Sequence, residues 1–190
     1  MNLEQFDQKI DSVFDLIRGN SIADTIFNSA TTVADHSILW MAWAGLRLFD
    51  DKKKCSGMRI IISMPAESVL VNGIIKSFFR RKRPQFPSGQ SPQVRVPITS
   101  SFPSGHASAA YCAAILLSDK KVLAKKIPYF LVATIVALSR IHTRLHHGSD
   151  VLAGAIVGAV LGILILKIAP LEQNNFLENL CNITIRIIKE

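Results

Sequence analysis

The sequence predicts an all-α integral membrane protein, a helical bundle of about five to six hydrophobic helices with an N-terminal amphipathic helical segment. Two observations lead to this prediction. Apolar residues make up 49% of the 190-residue chain and are gathered in separate runs. Short basic connections join those runs, as is typical of membrane-spanning helices. Buried helices of a soluble all-α protein are the alternative, because most runs are shorter than the roughly 20 residues that a bilayer demands.

The N-terminal segment, residues 1–35, carries two amphipathic patterns. Apolar residues recur at helical spacing from Leu3 to Ile17, where Gly19 and Asn20 interrupt them, and a second stripe runs from Ile22 to Val33. Such segments lie along a membrane surface or form ordinary soluble helices. Acidic residues interrupt the first 25 positions, so we expect no signal peptide and membrane insertion through internal segments.

Five apolar runs follow and make up the expected catalytic helical core, residues 36–170. The runs cover residues 37–49, 60–75, 105–118, 127–141 and 151–169. The last run is the strongest spanning candidate, and its glycines at 154, 158 and 162 allow close helix packing. We expect residues 171–190 to form an amphipathic C-terminal tail, and all 190 residues to form one domain.

The connections between the runs alternate in kind. Residues 50–59 and 119–126 are short and lysine-rich, whereas the candidate chemical residues lie at the opposite ends of the same runs. The positive-inside rule places the lysine-rich connections in the cytoplasm. We therefore expect a multi-pass protein of a cell membrane, with its active site on the extracytoplasmic side. Residues 85–103 predict a loop over the mouth of that site.

The net charge of +8 favours an anionic lipid, an anionic substrate or nucleic acid as partner. We expect no nucleic acid, because the cations are spread among apolar stretches and no binding signature is present. Cys55, Cys112 and Cys181 are far apart and odd in number, so we expect apolar fillers, neither disulfides nor a zinc site. The sequence carries no indication of an oligomeric state.

A first candidate motif, Lys76-x6-Arg83-Pro84, ends the run 60–75. Arg83 can hold a phosphate through two parallel hydrogen bonds, and Lys76 can add a point charge. Pro84 is expected to end the helix. A basic collar at a membrane interface is the alternative interpretation of this motif.

A second motif, Pro103-Ser104-Gly105-His106, opens the run 105–118. Ser104 is a natural N-cap, and Gly105 allows another group to approach the backbone closely. The helix N-terminus can bind an anion, and His106 in its first turn can protonate a leaving oxygen. A plain N-cap beside a surface histidine is the alternative.

A third motif, Ser139-Arg140-x5-His146-x3-Asp150, joins the last two runs. Asp150, just before the last helix, can fix the tautomer of His146 and make its other nitrogen a better nucleophile. An N-cap and a loop histidine are the alternative. His142 and His146 also have the spacing of a zinc pair, but the glutamate of the zinc-protease pattern is missing between them, and we expect no metal.

The three motifs together resemble the signature of the type 2 phosphatidic acid phosphatase superfamily, membrane-bound bacterial-type branch. The signature, K-x6-R-P, P-S-G-H and S-R-x5-H-x3-D, is matched at every position over residues 76–150. The resemblance implies that His146 is the nucleophile and forms a phosphohistidine, that Asp150 orients it, and that His106 is the general acid. It also implies phosphate binding, without metal or cofactor, by Lys76, Arg83, Ser104, Gly105 and Arg140.

The expected function is therefore a membrane phosphatase that hydrolyses the phosphate or diphosphate ester of a lipid, with polyprenyl (di)phosphates and phosphatidate-like lipids as substrate candidates. Three alternatives differ from this expectation. They are a soluble acid phosphatase of the same superfamily, a vanadium haloperoxidase, and a non-enzymatic membrane protein that binds or transports phosphorylated lipid.

Overall fold

The computed structural model is helical throughout the part of the chain that it describes. It describes residues 2–87, 91–171, 179, 180 and 183, and within these ranges there are seven α-helices and no strands. The helices are α1 (Leu3–Asp15), α2 (Ser21–Val33), α3 (Ile38–Leu48), α4 (Lys54–Ser68), α5 (Gly105–Leu117), α6 (Leu123–His142) and α7 (Gly148–Ile168). The predicted C-terminal tail, residues 171–190, falls almost entirely outside the described residues, as does Cys181.

The N-terminal segment forms the two predicted amphipathic helices, α1 and α2. The side chain of Asn2 caps α1 and that of Asn20 caps α2, each by accepting hydrogen bonds from backbone amides of the first turn. Gly19 between the helices has a φ of 86°, which glycine adopts without strain. Phe14 is buried, whereas Val13 on the same helix is 55% exposed. Helix α1 therefore has an inner face and an exposed apolar face.

Helix α4 begins and ends differently from the prediction. It starts at Lys54, earlier than the apolar run, because the preceding lysine-rich connection forms its first turns. A π-helical segment (Val69–Ile74) and a 3-10 turn (Ile75–Phe78) continue it. The backbone leaves the helical region at Phe79, so the prediction that Pro84 ends the helix is wrong. The change in helical pitch sets the direction in which Lys76 points.

Two described segments are long and apolar enough to cross a membrane, Lys54–Phe78 and Gly148–Ile168. Helix α5 is apolar as well but has only 13 residues. The structure is thus consistent with a helical membrane fold, and the expectation of five to six spans stays a prediction.

The closest packing in the bundle joins α7 to α5. A Cβ atom at Gly154 would lie 2.3 Å from the carbonyl oxygen of Ser104, and one at Gly158 would lie 2.0 Å from that of Ser108. At Gly162 the nearest atom, in Ile115, would be 3.0 Å away. The close packing predicted from this glycine spacing is confirmed. It fixes the N-terminus of α5 beside the N-terminal half of α7.

The lysine-rich connections lie together at the other end of the bundle. Arg47 of α3 donates hydrogen bonds of 2.8 Å to Ser56 and to the carbonyl oxygen of Leu117. Arg59 of α4, 1% exposed at its side chain, pairs with Asp119 at 2.8 Å. These contacts stabilise the end of the bundle that is remote from the three motifs.

Candidate active site

The three motifs converge on one cavity of about 240 Å³. Four of their side chains line it: Lys76 from the 3-10 turn after α4, His106 from α5, Arg140 from α6, and His146 from the connection between α6 and α7. Gly105 also borders the cavity. Residues that are up to 70 positions apart in the sequence therefore surround a single polar space.

The N-terminus of α5 is built as predicted from its sequence. Ser104 has an extended backbone, and its hydroxyl accepts a hydrogen bond from the amide of Ala107 at 3.5 Å. Its own amide donates to the carbonyl oxygen of Asp150 at 3.0 Å. A Cβ atom at Gly105 would lie 2.3 Å from Oδ1 of Asn72. The group that approaches this glycine closely is therefore the side chain of Asn72.

His146 lies in the short connection that follows α6. Its amide and that of Leu145 both donate to the carbonyl oxygen of Arg140 at 3.1 Å, which folds the connection back onto the end of the helix. The side chain is 2% exposed. Burial, together with the positive charges of Arg140, Arg83 and Lys76, lowers the pKa of His146 to about 3. The imidazole is therefore neutral at physiological pH, as a nucleophile must be.

Asp150 lies one turn after His146 and within α7, not before the helix as predicted. It is the third residue of α7, and Oδ2 accepts a hydrogen bond of 2.9 Å from the amide of His147, the N-cap. The same oxygen accepts from the hydroxyl of Ser101 and lies 3.7 Å from Nδ1 of His146. The fully buried carboxylate thus faces Nδ1 and leaves Nε2 turned away from it.

The cationic side chains surround His146. Arg83 places Nη1 3.2 Å from Nε2 of His146 and donates to the carbonyl oxygens of Leu145 at 2.6 Å and of Thr99 at 3.1 Å. Arg140 donates to the hydroxyl of Thr31. The side chain of Lys76 makes no hydrogen bond or ion pair with any described residue, although Lys76 is buried.

Several buried nitrogens around the cavity have no hydrogen-bond partner among the described residues. They are Nε of Arg83, Nε of Arg140, Nε2 of His106 and Nδ1 of His146. Buried polar atoms without partners are uncommon in native proteins. Two of these atoms, Nε2 of His106 and Nε of Arg140, belong to residues that line the cavity, and they give it unused capacity for hydrogen bonds to an anion.

Two carboxylates border the cavity that the sequence reasoning did not assign to it. Asp35, in the 3-10 turn (Asp35–Ser37) after α2, lies 3.6 Å from Nε2 of His106. Glu67 of α4 is 3% exposed and accepts a hydrogen bond from Ser108. An acidic residue within an apolar run was the available signal for Glu67. No sequence signal marked Asp35, because its contact with α5 depends on the turn after α2.

His142, which has the spacing of a zinc pair with His146, contacts α2. Nε2 of His142 lies 2.7 Å from Oδ1 of Asp24, and its ring packs against Phe27 at a centroid distance of 4.6 Å. No group of three histidine, cysteine, aspartate or glutamate side chains that could hold a metal ion occurs among the described residues. His142 is thus part of the contact between α6 and α2.

Comparison with known proteins gives the same family as the three motifs. The model of the PAP2 superfamily matches residues 57–173. Decaprenylphosphoryl-5-phosphoribose phosphatase of Mycobacterium tuberculosis is 38% identical over 92 residues, which are 48% of this chain and 50% of that protein. Phosphatidylglycerophosphatase B of Bacillus subtilis is 30% identical over 131 residues, 64% of this chain and 62% of that protein. The chain thus matches between half and two thirds of the length of these relatives.

Two solved structures share the fold. The transmembrane PAP2 type phosphatidylglycerolphosphate phosphatase of Bacillus subtilis has a TM-score of 0.72 and 25% identity, with 92% of this chain and 89% of that chain covered. LpxE of Aquifex aeolicus has a TM-score of 0.64 and 28% identity, with 82% and 93% covered. The family model covers more than half of this helical chain, and the chain belongs to the PAP2 superfamily.

Proposed function

We propose that this protein is a membrane phosphatase that hydrolyses the phosphate or diphosphate ester of a lipid through a phosphohistidine at His146. The observation that carries the proposal is the environment of that side chain. A buried, neutral imidazole has its Nε2 3.2 Å from the guanidinium of Arg83 and borders a cavity lined by Lys76, Arg140 and a second histidine. A nucleophile surrounded by cations suits the transfer of a phosphoryl group, whose charge lies on its outer oxygens.

The reaction proceeds in two steps. Nε2 of His146 attacks phosphorus, and the bond to the ester oxygen breaks while His106 donates a proton to that oxygen. Water then attacks the phosphohistidine, His106 accepts a proton from it, and phosphate leaves. Lys76, Arg83 and Arg140 bind the phosphate oxygens in both steps, with the hydroxyl of Ser104 and the amide of Gly105 as further donors. No step requires a metal ion.

Asp150 has an orienting role in this mechanism. Its carboxylate, 3.7 Å from Nδ1 of His146, favours the tautomer in which Nδ1 carries the proton. The lone pair of Nε2, which faces the guanidinium of Arg83 at 3.2 Å, is then the one that attacks phosphorus. The positive charge that the ring acquires during attack is stabilised by the same carboxylate.

The size of the cavity and the relatives both support the proposed substrate class. A volume of about 240 Å³ accommodates a phosphorylated head group but no long acyl or prenyl chain, so the chain stays among the apolar helices. The names of two relatives refer to a decaprenyl-linked phosphoribose and to phosphatidylglycerophosphate. Polyprenyl phosphates and glycerophospholipid phosphates are thus the candidates for this protein.

The proposed topology has α3 to α7 crossing the bacterial inner membrane as a multi-pass core, residues 36–170, in a single-domain protein. Residues 1–35 lie at the interface, and residues 171–190 form an amphipathic tail. Exposed apolar side chains on α7, such as Leu152 and Ile156, face lipid. The lysine-rich connections, at the end remote from the cavity, face the cytoplasm, so the active site opens on the extracytoplasmic side.

Phosphate release from the purified protein in detergent tests the proposal. The substrates are a polyprenyl phosphate, a polyprenyl diphosphate, phosphatidate and phosphatidylglycerophosphate, each with and without a chelator. At least one is hydrolysed by the wild type with chelator present, and His146→Ala abolishes release. His106→Ala slows release about 10²–10⁴-fold. Phosphorus label trapped during turnover is found on His146.

Three results would contradict the proposal. Turnover by His146→Ala refutes the nucleophile. Complete loss of activity on chelation refutes the metal-free mechanism. Saturable binding of a lipid phosphate without any release indicates a non-enzymatic carrier.

A further inference from the structure

The amphipathic helix α1 carries a buried acidic residue. Asp7 is 5% exposed, although its neighbours Glu4 and Gln8 are exposed. A carboxylate removed from water is costly unless it is hydrogen-bonded or paired. The hydrogen-bond and ion-pair partners of Asp7 therefore explain why its carboxylate can be buried.

Asp7 binds the first turn of α7. Oδ1 accepts a hydrogen bond of 2.8 Å from the amide of Ser149, and Oδ2 accepts one of 2.8 Å from the hydroxyl of the same residue. Amides in the first turn of a helix lack intrahelical partners, and the positive end of the helix dipole favours an anion there. Asp7 thus holds the residue directly before Asp150.

Arg81 connects Asp7 to Asp150. Its Nη2 donates to Oδ2 of Asp7, and its Nη1 donates to Oδ1 of Asp150 at 2.6 Å and to the hydroxyl of Ser149 at 2.7 Å. One planar guanidinium therefore joins a carboxylate from α1 to a carboxylate from α7. This bond fixes the rotation of the Asp150 carboxylate, whose other oxygen faces Nδ1 of His146.

Apolar packing and further ion pairs keep α1 in place. A Cβ atom at Gly148 would lie 2.9 Å from Cγ2 of Ile10, so α1 lies directly against the start of α7. Arg144, in the connection that holds His146, pairs with Asp11 at 2.8 Å and also with Asp15. Helix α1 is thus attached to the chain just before His146 and again between His146 and Asp150.

We infer that Asp7 is a positioning residue for the reaction: acting through Arg81, it holds the Asp150 carboxylate in the orientation that directs His146 toward phosphorus. The inference rests on the proposed phosphohistidine mechanism. It makes the surface helix α1 part of the catalytic apparatus as well as a membrane-facing segment.

The test compares Asp7→Asn with Glu4→Gln. Both remove one negative charge from α1 without changing side-chain size, but Glu4 is exposed, and its side chain makes no hydrogen bond or ion pair with any described residue. For Asp7→Asn we expect kcat to fall about 10–100-fold, as for other groups that orient a reacting side chain. KM changes little, because Lys76 and Arg140 still bind the phosphate. Glu4→Gln keeps the kcat and KM of the wild type.

A double-mutant cycle identifies the route of the effect. Arg81→Gln lowers kcat to a similar extent, and Asp7→Asn in the Arg81→Gln background adds little further loss, because both changes remove the same orienting bond. The unfolding temperature in detergent is measured for each variant. If Asp7→Asn does not fold, Asp7→Glu takes its place, with reduced kcat and unchanged KM expected.

The outcomes separate this inference from the proposed function. Wild-type kcat in Asp7→Asn or in Asp7→Glu overturns the inference and leaves the phosphatase intact. Losses that multiply independently in the double variant also overturn it. If the wild type hydrolyses no lipid phosphate, the proposed function fails, and the inference fails with it.

Discussion

The substitution Gly158→Ala tests how strongly the site depends on the contact between α5 and α7. An added Cβ would lie 2.0 Å from the carbonyl oxygen of Ser108, 2.6 Å from its carbon and 2.7 Å from its Cα, whereas ordinary van der Waals contact begins at 3.4 Å. All three atoms belong to a helical backbone and cannot rotate away. The two helices must therefore separate locally by about 1.4 Å.

The expected losses of stability and activity follow from this separation. Overpacking of a well-packed interior costs about 1–3 kcal/mol, and we expect the upper end because the obstacle is backbone. For a chain of this length a loss of about 3 kcal/mol lowers the unfolding temperature by about 6–12 °C. Because α5 carries His106 and α7 carries Asp150, the separation also displaces the proposed proton donor from the carboxylate that is proposed to orient His146. A displacement near 1 Å reduces kcat about 10²-fold.

Gly45→Ala provides the matched control. It makes the same chemical change within α3, where an added Cβ meets no atom within 4 Å, and the higher helix propensity of alanine raises stability by about 0.5–1 kcal/mol. Unfolding temperature and phosphate release are measured for both variants in the same detergent. An unfolding temperature of Gly158→Ala equal to that of the wild type would refute the argument from close packing.

Two further predictions concern charge. Burial lowers the pKa of His146 to about 3, below its value near 6.5 in the unfolded chain, so the unfolded chain takes up this proton first on acidification. The contribution of His146 to stability is therefore complete above about pH 6.5 and falls by up to about 1.4 kcal/mol per pH unit below it. We expect the unfolding temperature of His146→Gln to decline less with acid than that of the wild type, and parallel declines would contradict the lowered pKa of His146. Arg59→Ala leaves Asp119, 19% exposed at its side chain, without its partner, and we expect a loss of stability of about 1–3 kcal/mol with kcat unaffected in the folded fraction. Denaturant unfolding and specific activity check this, and unchanged stability would show that the pair is dispensable.

Local sequence signals predicted much of the fold. Gly19 and Asn20 mark the boundary between α1 and α2, Ser104 marks the start of α5, and the glycine spacing in α7 marks the contact with α5. Each of these depends on backbone conformation or on residues within one turn. The same reasoning placed Asp150 outside α7 and ended α4 at Pro84, because helix boundaries also depend on contacts that a local pattern does not contain.

The site residues that belong to the three short sequence motifs could be predicted from the sequence. The structure brings Lys76, His106, Arg140 and His146 to one cavity, and their catalytic roles stay predictions. No sequence signal indicated three further residues at the site, Asp7, Asp35 and Arg81. Each contacts the site through a partner at least 69 positions away in the sequence. Amphipathic periodicity assigned Asp7 to the polar side of α1, and only tertiary packing buries it.

In the proposed topology, in which α5 crosses the membrane, the short length of this helix determines how deep the reaction takes place. Its 13 residues rise about 20 Å, roughly 10 Å less than the hydrocarbon thickness of a typical bilayer. With Leu117 level with the cytoplasmic boundary, His106 lies below the opposite headgroup plane. A lipid then need not be lifted out of its leaflet to reach the enzyme: its phosphate moves inward, and the product alcohol is left at the depth of the acyl chains.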